Sequence, residues 1–178
     1  LKEKLTSIPV IKIIDGSNEI KFCYIARLTY WKRQDLALDI IAKLKANGLK
    51  VSLDIYGRGE EELRIRNRII KLNLSDEVSI KGSISHSQVT SVLSKYQVAM
   101  FLYDASNLGN AMWEAALSGR LILTRDTGKT TNIFNKRNAI IMSDENTDQV
   151  VRDVLELVNH NFTLAQESRH TVHSLLPN

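Results

Sequence analysis

From Lys21 onward, short apolar runs alternate with amphipathic stretches, and no other feature of the chain narrows its fold as much. The apolar runs fall at Phe22 to Ala26, Val51 to Tyr56, Val78 to Ile80, Val98 to Tyr103, Leu121 to Thr124 and Ala139 to Met142. Each is short for a helix and of ordinary length for a strand. Between them Leu36, Ile40 and Leu44, then Leu63, Ile70 and Leu74, then Val89, Val92 and Leu93 recur near the helical period. That recurrence predicts helices covering a sheet. Repeated strand and helix units wind a parallel sheet, because parallel neighbours need a crossover connection. The expectation is an α/β fold, three layers α/β/α around a parallel sheet of about six strands, closed by two helices near residues 147–159 and 163–176. The run from Val98 to Leu102 is apolar throughout, as in a strand buried on both faces. Val51 to Ile55 alternates, which suits a half-exposed strand and leaves its place in the sheet open.

A length of 178 residues with 43% hydrophobic side chains supports one core, so residues 1–178 read as a single domain. The net charge of +4 permits an anionic ligand or membrane surface, is equally met by a solvated surface, and gives no reason to expect nucleic acid. Cys23 is the one cysteine, so no internal disulfide forms, and its apolar neighbours make it an inert buried thiol. No stretch approaches the roughly 20 apolar residues of a membrane span, and no leader opens the chain. These features predict a cytoplasmic location, with attachment of the whole protein to the inner membrane face left open. The chain begins at Leu1, and its first twenty residues read as the entry to a domain, so a piece of a longer protein is expected.

Open parallel sheets bind ligands beyond the carboxyl ends of their strands. After the first strand stand Arg27 and Lys32, two cations able to converge on one anion such as a diphosphate; alone, they are as well explained as solvated surface charges. After the fourth strand, Gly109 permits close backbone approach, and the helix behind it offers unpaired N–H groups and a positive dipole end. Asn110, Glu114 and Ser118 share a face of that helix, and helical side chains lean toward the N-terminus, so Glu114 points back at the anion position. The alternative for Glu114 is a surface carboxylate paired with a lysine. Trp113 reads as core. Gly128-Lys129-Thr130 lacks the leading glycine of a phosphate loop, Leu123 standing there instead. The histidines, His86, His160, His170 and His173, have no acidic or cysteine companions in sequence, and no metal site is expected.

In order and spacing these elements resemble the C-terminal domain of the family 4 retaining glycosyltransferases, from about Phe22 to Met142. Ala26-Arg27-Leu28-Thr29-Tyr30-Trp31-Lys32-Arg33 is similar to the signature G-R-L-x-x-x-K-G, with both glycines replaced. Gly57-Arg58-Gly59-Glu60 and Ile80-Lys81-Gly82-Ser83-Ile84 match its G-x-G and F-x-G-x-V turns. Ser106 to Gly119 matches E-G-F-G-L-x-x-x-E-A-M-A-x-G, with Ser106 in place of the first glutamate.

The resemblance implies a Rossmann-like domain of GT-B architecture that binds a UDP-, GDP- or ADP-sugar without metal or other cofactor. Arg27 and Lys32 are implied to hold the diphosphate and stabilise its departure, Glu114 to bind the ribose, and the Ile84 backbone to meet the base. Gly57, Ser106, Asn107, Leu108, Gly109 and Asn110 complete the implied donor site. Asp104, Asn107 or Asn110 would replace the missing carboxylate at Ser106. An acceptor glycan or lipid-linked glycan is implied to bind through an N-terminal domain that these residues do not contain. Two alternatives stand beside this reading: a binding-only or regulatory domain that has lost catalysis, and a nucleotide-sugar epimerase, for which no acid and base pair is visible.

Overall fold

The computed structural model describes residues 6–7, 9, 19–105, 108–160 and 164–175. Six strands, β1 (Ile20–Ile25), β2 (Val51–Tyr56), β3 (Val78–Gly82), β4 (Val98–Phe101), β5 (Leu121–Arg125) and β6 (Ile140–Met142), form one sheet in the order β3-β2-β1-β4-β5-β6. Every pairing is parallel. The helices are α1 (Gln34–Ala46), α2 (Glu62–Lys71), α3 (His86–Leu93), α4 (Asn110–Leu117), α5 (Thr147–His160) and α6 (Leu164–Leu175). The α/β expectation and all six strands are borne out. Strand order reverses between β1 and β4, so the crevice that such sheets use for ligands opens above their carboxyl ends.

That crevice has a local cause. β1 and β4 share only the pairs Phe22↔Val98 and Cys23↔Ala99. Further along, the buried Tyr24 hydroxyl accepts the Leu102 N–H at 3.0 Å and donates to the Lys32 carbonyl. A side chain thus replaces the ladder at the end of β4, which stops at Phe101 rather than at Tyr103 as the apolar run suggested.

The alternation of β2 does not mark an edge, because β2 lies between β1 and β3. Its polar face is satisfied by partners: the Tyr96 hydroxyl donates to Asp54 at 2.6 Å, and Lys81 Nζ lies 3.3 Å from the same carboxylate. The periodicity assigned to α2 is corrected. Leu63 and Ile70 are 70% and 69% exposed, whereas Ile65 and Ile69 face the core with Leu74. Leu63 and Ile70 share a face seven residues apart, but the sheet covers the opposite face, and packing decides between two apolar stripes.

Arg120, 1% exposed, has no counterpart in the sequence expectations. Its guanidinium donates to the carbonyls of Ser118, Tyr96 and Pro9, which is how a buried cation with no carboxylate partner among the described residues is tolerated. Burial pulls its pKa down to about 10.

Candidate donor-binding site

The turn after β1 is shaped by its neighbour after β2. Ala26 N–H donates to Tyr56 O and Leu28 N–H to Arg58 O, each at 3.0 Å. A Cβ on Gly57 would lie 1.8 Å from the Ala26 carbonyl oxygen, and one on Gly59 would lie 2.2 Å from the Leu28 carbonyl oxygen. The G-x-G pair therefore lets two backbones touch, and in doing so it sets the path of the chain that carries Arg27.

Beyond Leu28 the chain makes a single 3-10 turn, Tyr30–Lys32, and leaves it through Arg33 at φ 50. Arg33 occupies the second glycine position of the family signature, and left-handed backbone costs a non-glycine residue roughly 1–2 kcal/mol. Its guanidinium is held by Asp35, Asp104 and Glu145, which offsets that cost. Ala26, at the first glycine position, has no positive φ.

Arg27 and Lys32 come together as expected, lining one cleft of ≈ 420 Å³ with Trp31, Tyr103, Gly109 and Asn110. Arg27 also lines a second hollow of ≈ 560 Å³ with Gly57, Gly59 and Ile84. Among the described residues, neither cation is within ion-pair distance of a carboxylate. Lys32 Nζ lies 3.3 Å from the Tyr103 ring centroid and 3.8 Å from that of Trp31, so ring faces rather than an anion stabilise it. Desolvation by these rings pulls its pKa down to about 8.

A diphosphate lying against Lys32 would favour its charged form, so its binding would take up a proton once the pH exceeds about 8. Affinity for a nucleoside diphosphate is expected to hold near pH 7 and then to weaken as Lys32 loses its proton, levelling off once its charge is gone. Titrations at pH 7 and 9 check this, and Lys32→Ala should remove most of the dependence.

Gly109 begins α4 with φ −88, an angle open to any residue, so its contribution is the absence of a side chain beside the cleft. Asn110 and Ala111, the first two residues of α4, line the cleft, and N–H groups at these positions have no acceptor within a helix, whereas the Met112 N–H already donates to Gly109 O at 3.0 Å. Leu108 is fixed behind them by the Trp113 Nε1 donor, 3.1 Å from its carbonyl, while the Trp113 ring packs on Phe134 as core. Ser106 and Asn107 lie outside the described residues.

Glu114 is 5% exposed, not a surface carboxylate, and among the described residues no lysine pairs with it. Its Oε1 is 3.5 Å from His86 Nδ1, which corrects the expectation that the histidines lack acidic company. Burial raises the Glu114 pKa, and His86 lowers it by a smaller amount. His86 is placed by the start of α3, where the Ser85 N–H donates to Gln88 Oε1 at 2.8 Å. Only its position two residues after Ile84 hinted that it stands near the site. Asp104, one of the suggested replacements for the missing carboxylate, is instead engaged by Arg33 and Arg125.

Arg27, Lys32 and the N-terminus of α4 thus stand at the switch point of an order-reversing parallel sheet, the place where such sheets bind their ligands. Residues 11–172 match the family model described as glycosyl transferases group 1, and the chain belongs to that family. It is 25% identical over 154 residues to the UDP-N-acetylglucosamine–peptide N-acetylglucosaminyltransferase GtfA subunit of Streptococcus gordonii, covering 84% of this chain and 30% of that protein. It is 26% identical over 145 residues to the poly(ribitol-phosphate) alpha-N-acetylglucosaminyltransferase of Staphylococcus aureus, covering 80% and 29%. The pneumococcal O-GlcNAc transferase GtfA, solved in complex with UDP and GlcNAc, superimposes with a TM-score of 0.72 at 22% identity, covering 95% of this chain and 36% of that one. The fold is that of the GT-B glycosyltransferases. The chain spans about a third of the length of these relatives. Among the described residues no helix is long and apolar enough to cross a membrane.

Proposed function

We propose that this chain is the donor-binding half of a retaining glycosyltransferase and holds a UDP-sugar, with UDP-N-acetylglucosamine as the first candidate. The observation that carries the reading is the convergence of unpaired Arg27 and Lys32 with the N-terminus of α4 on one cleft. The names of the two relatives support the choice of sugar nucleotide. In this account the diphosphate lies against Arg27, Lys32 and the first N–H groups of α4, the ribose reaches Glu114, and the base lies along the Ile84 backbone. When the bond from the anomeric carbon to the diphosphate breaks, charge develops on the leaving oxygen. The cations and amides already aimed there stabilise it, the strongest lever such a site has. The acceptor, a glycan or a lipid-linked glycan, binds through a second, N-terminal domain.

Incubation of the whole protein with UDP-N-acetylglucosamine and acceptor should release UDP and give a linkage with the donor's anomeric configuration, read by proton NMR. An inverted linkage would contradict the retaining mechanism. The 178-residue chain alone should bind nucleotide and transfer nothing. Ser106, in place of the signature's glutamate, favours a second reading, a domain that binds the donor without catalysis. Donor binding without transfer by the whole protein would select it.

A further inference from the structure

The Glu114 side chain is 7% exposed, yet among the described residues no N–H or O–H group donates to its carboxylate. Its one charged contact is His86, whose Nδ1 lies 3.5 Å from Oε1 and whose side chain is 67% exposed. A buried carboxylate without hydrogen-bond donors is costly, so a fold keeps one where donors arrive from outside the protein. Separate elements bring the two residues together. His86 opens α3, two residues after Ile84, which lines the second hollow. Glu114 lies one turn after Asn110, which lines the cleft. The pair thus belongs to elements that line both hollows, and the hollows share Arg27.

Few other charges stand near. Glu114 is the only ionisable residue of α4, and His86 the only one of α3. Lys81 in β3 is engaged by Asp54, and Arg125 at the end of β5 by Asp104 and Glu145. The helix α6, which also packs on α4, carries Glu167, Arg169, His170 and His173, none of which is among the charges acting on Glu114. Burial raises the Glu114 pKa, and charge on His86 lowers it. The carboxylate therefore stays ionised to lower pH beside a protonated imidazole, and loses its charge at higher pH if the imidazole is removed. An imidazole gains its charge between about pH 8 and 5, the range in which a buried carboxyl needs the help. Ionised, Glu114 accepts from two hydroxyls at once; protonated, it gives up part of that capacity to its own O–H.

We propose that His86 is a positioning residue that keeps Glu114 an anionic acceptor for the paired ribose hydroxyls of the donor, so that recognition of ribose persists in acid solution only while His86 is present. The inference rests on the donor-site reading above, which puts ribose at Glu114. His86 does not touch the ligand in this account; it acts through the carboxylate.

The test is calorimetric titration of the chain with UDP and with 2′,3′-dideoxy-UDP, at about pH 5.5 and about pH 8. The ratio of the two dissociation constants gives the preference for ribose, and the titration of Lys32, which weakens both ligands alike, drops out of it. The parent should prefer UDP at both pH values, and Glu114→Gln should lose most of that preference at both. In His86→Ala the preference should stay within about twofold of the parent's at the higher pH and fall at least about fivefold at the lower. His86→Asn, polar but uncharged, should reproduce this result, and thermal melts at both pH values identify any variant that has lost its fold. A preference equal to the parent's at both pH values in the His86 variants would overturn the proposal, and so would an equal loss at both, which marks packing alone. An undiminished preference in Glu114→Gln would remove ribose from Glu114 and this inference with it. The donor reading fails by a different sign, the absence of UDP binding by a folded parent.

Discussion

Gly57→Ala should destabilise the domain by about 3 kcal/mol or more, within the upper range for a single substitution that forces backbone apart. The added Cβ would stand 1.8 Å from the Ala26 carbonyl oxygen and 2.9 Å from its carbon, both backbone atoms that no rotamer change can remove. The φ of +151 adds strain of its own. For a domain of this size the melting temperature should fall by roughly 6–12 °C. The control is Gly48→Ala, at φ +82 with nothing within 4 Å of the new Cβ, where backbone strain acts alone and about 1 kcal/mol is expected. Equal losses at the two positions would show that the contact between the β1 and β2 turns is not what Gly57 supports.

The same contact shows what the sequence could and could not reveal. The spacing of Gly57 and Gly59 is plain in the sequence, where the resemblance implies that Gly57 meets the donor; the structure shows backbone packed against backbone there, which sets the path of the chain that carries Arg27. The six strands were legible because apolar runs of strand length leave few alternatives. The face of α2 was not, since Leu63 with Ile70 and Ile65 with Ile69 both fit a helical period, and only the position of the sheet chooses between them. Lys32 was visible as a cation. Its pKa near 8 comes from burial, with the ring of Tyr103, seventy-one residues away, against it beside that of neighbouring Trp31.

Contacts across the fold account for the other misses. Tyr24 reads as one more apolar strand residue until its hydroxyl is found between Lys32 O and Leu102 N–H. Glu145 sits in a polar turn with nothing in its neighbourhood to announce Arg33, 112 residues earlier. The replaced glycine at Arg33 looked like a departure from the family signature. It keeps the left-handed backbone and adds a guanidinium held by Asp35, Asp104 and Glu145.

The central claim concerns Arg27 and Lys32, and the largest functional effect is expected from removing both. Truncating one partner of a charge-assisted contact to an anion costs about 2–5 kcal/mol when the pair is desolvated. Arg27 is exposed and Lys32 half-buried, so the lower part of that range applies to each. About 4 kcal/mol for the two together corresponds to a loss of roughly 1000-fold in affinity. Among the described residues neither side chain leaves a carboxylate unpaired, so the fold should persist, with at most the small loss of the contacts of Lys32 with the Trp31 and Tyr103 rings. The decisive measurement is a calorimetric titration of the chain with UDP, GDP and ADP, alongside the Arg27→Ala, Lys32→Ala double variant. The account predicts selective binding of UDP by the parent and loss of that binding by about 1000-fold in a variant that keeps its fold. Binding of UDP with equal strength by parent and variant, or no nucleotide binding by a folded parent, would contradict it.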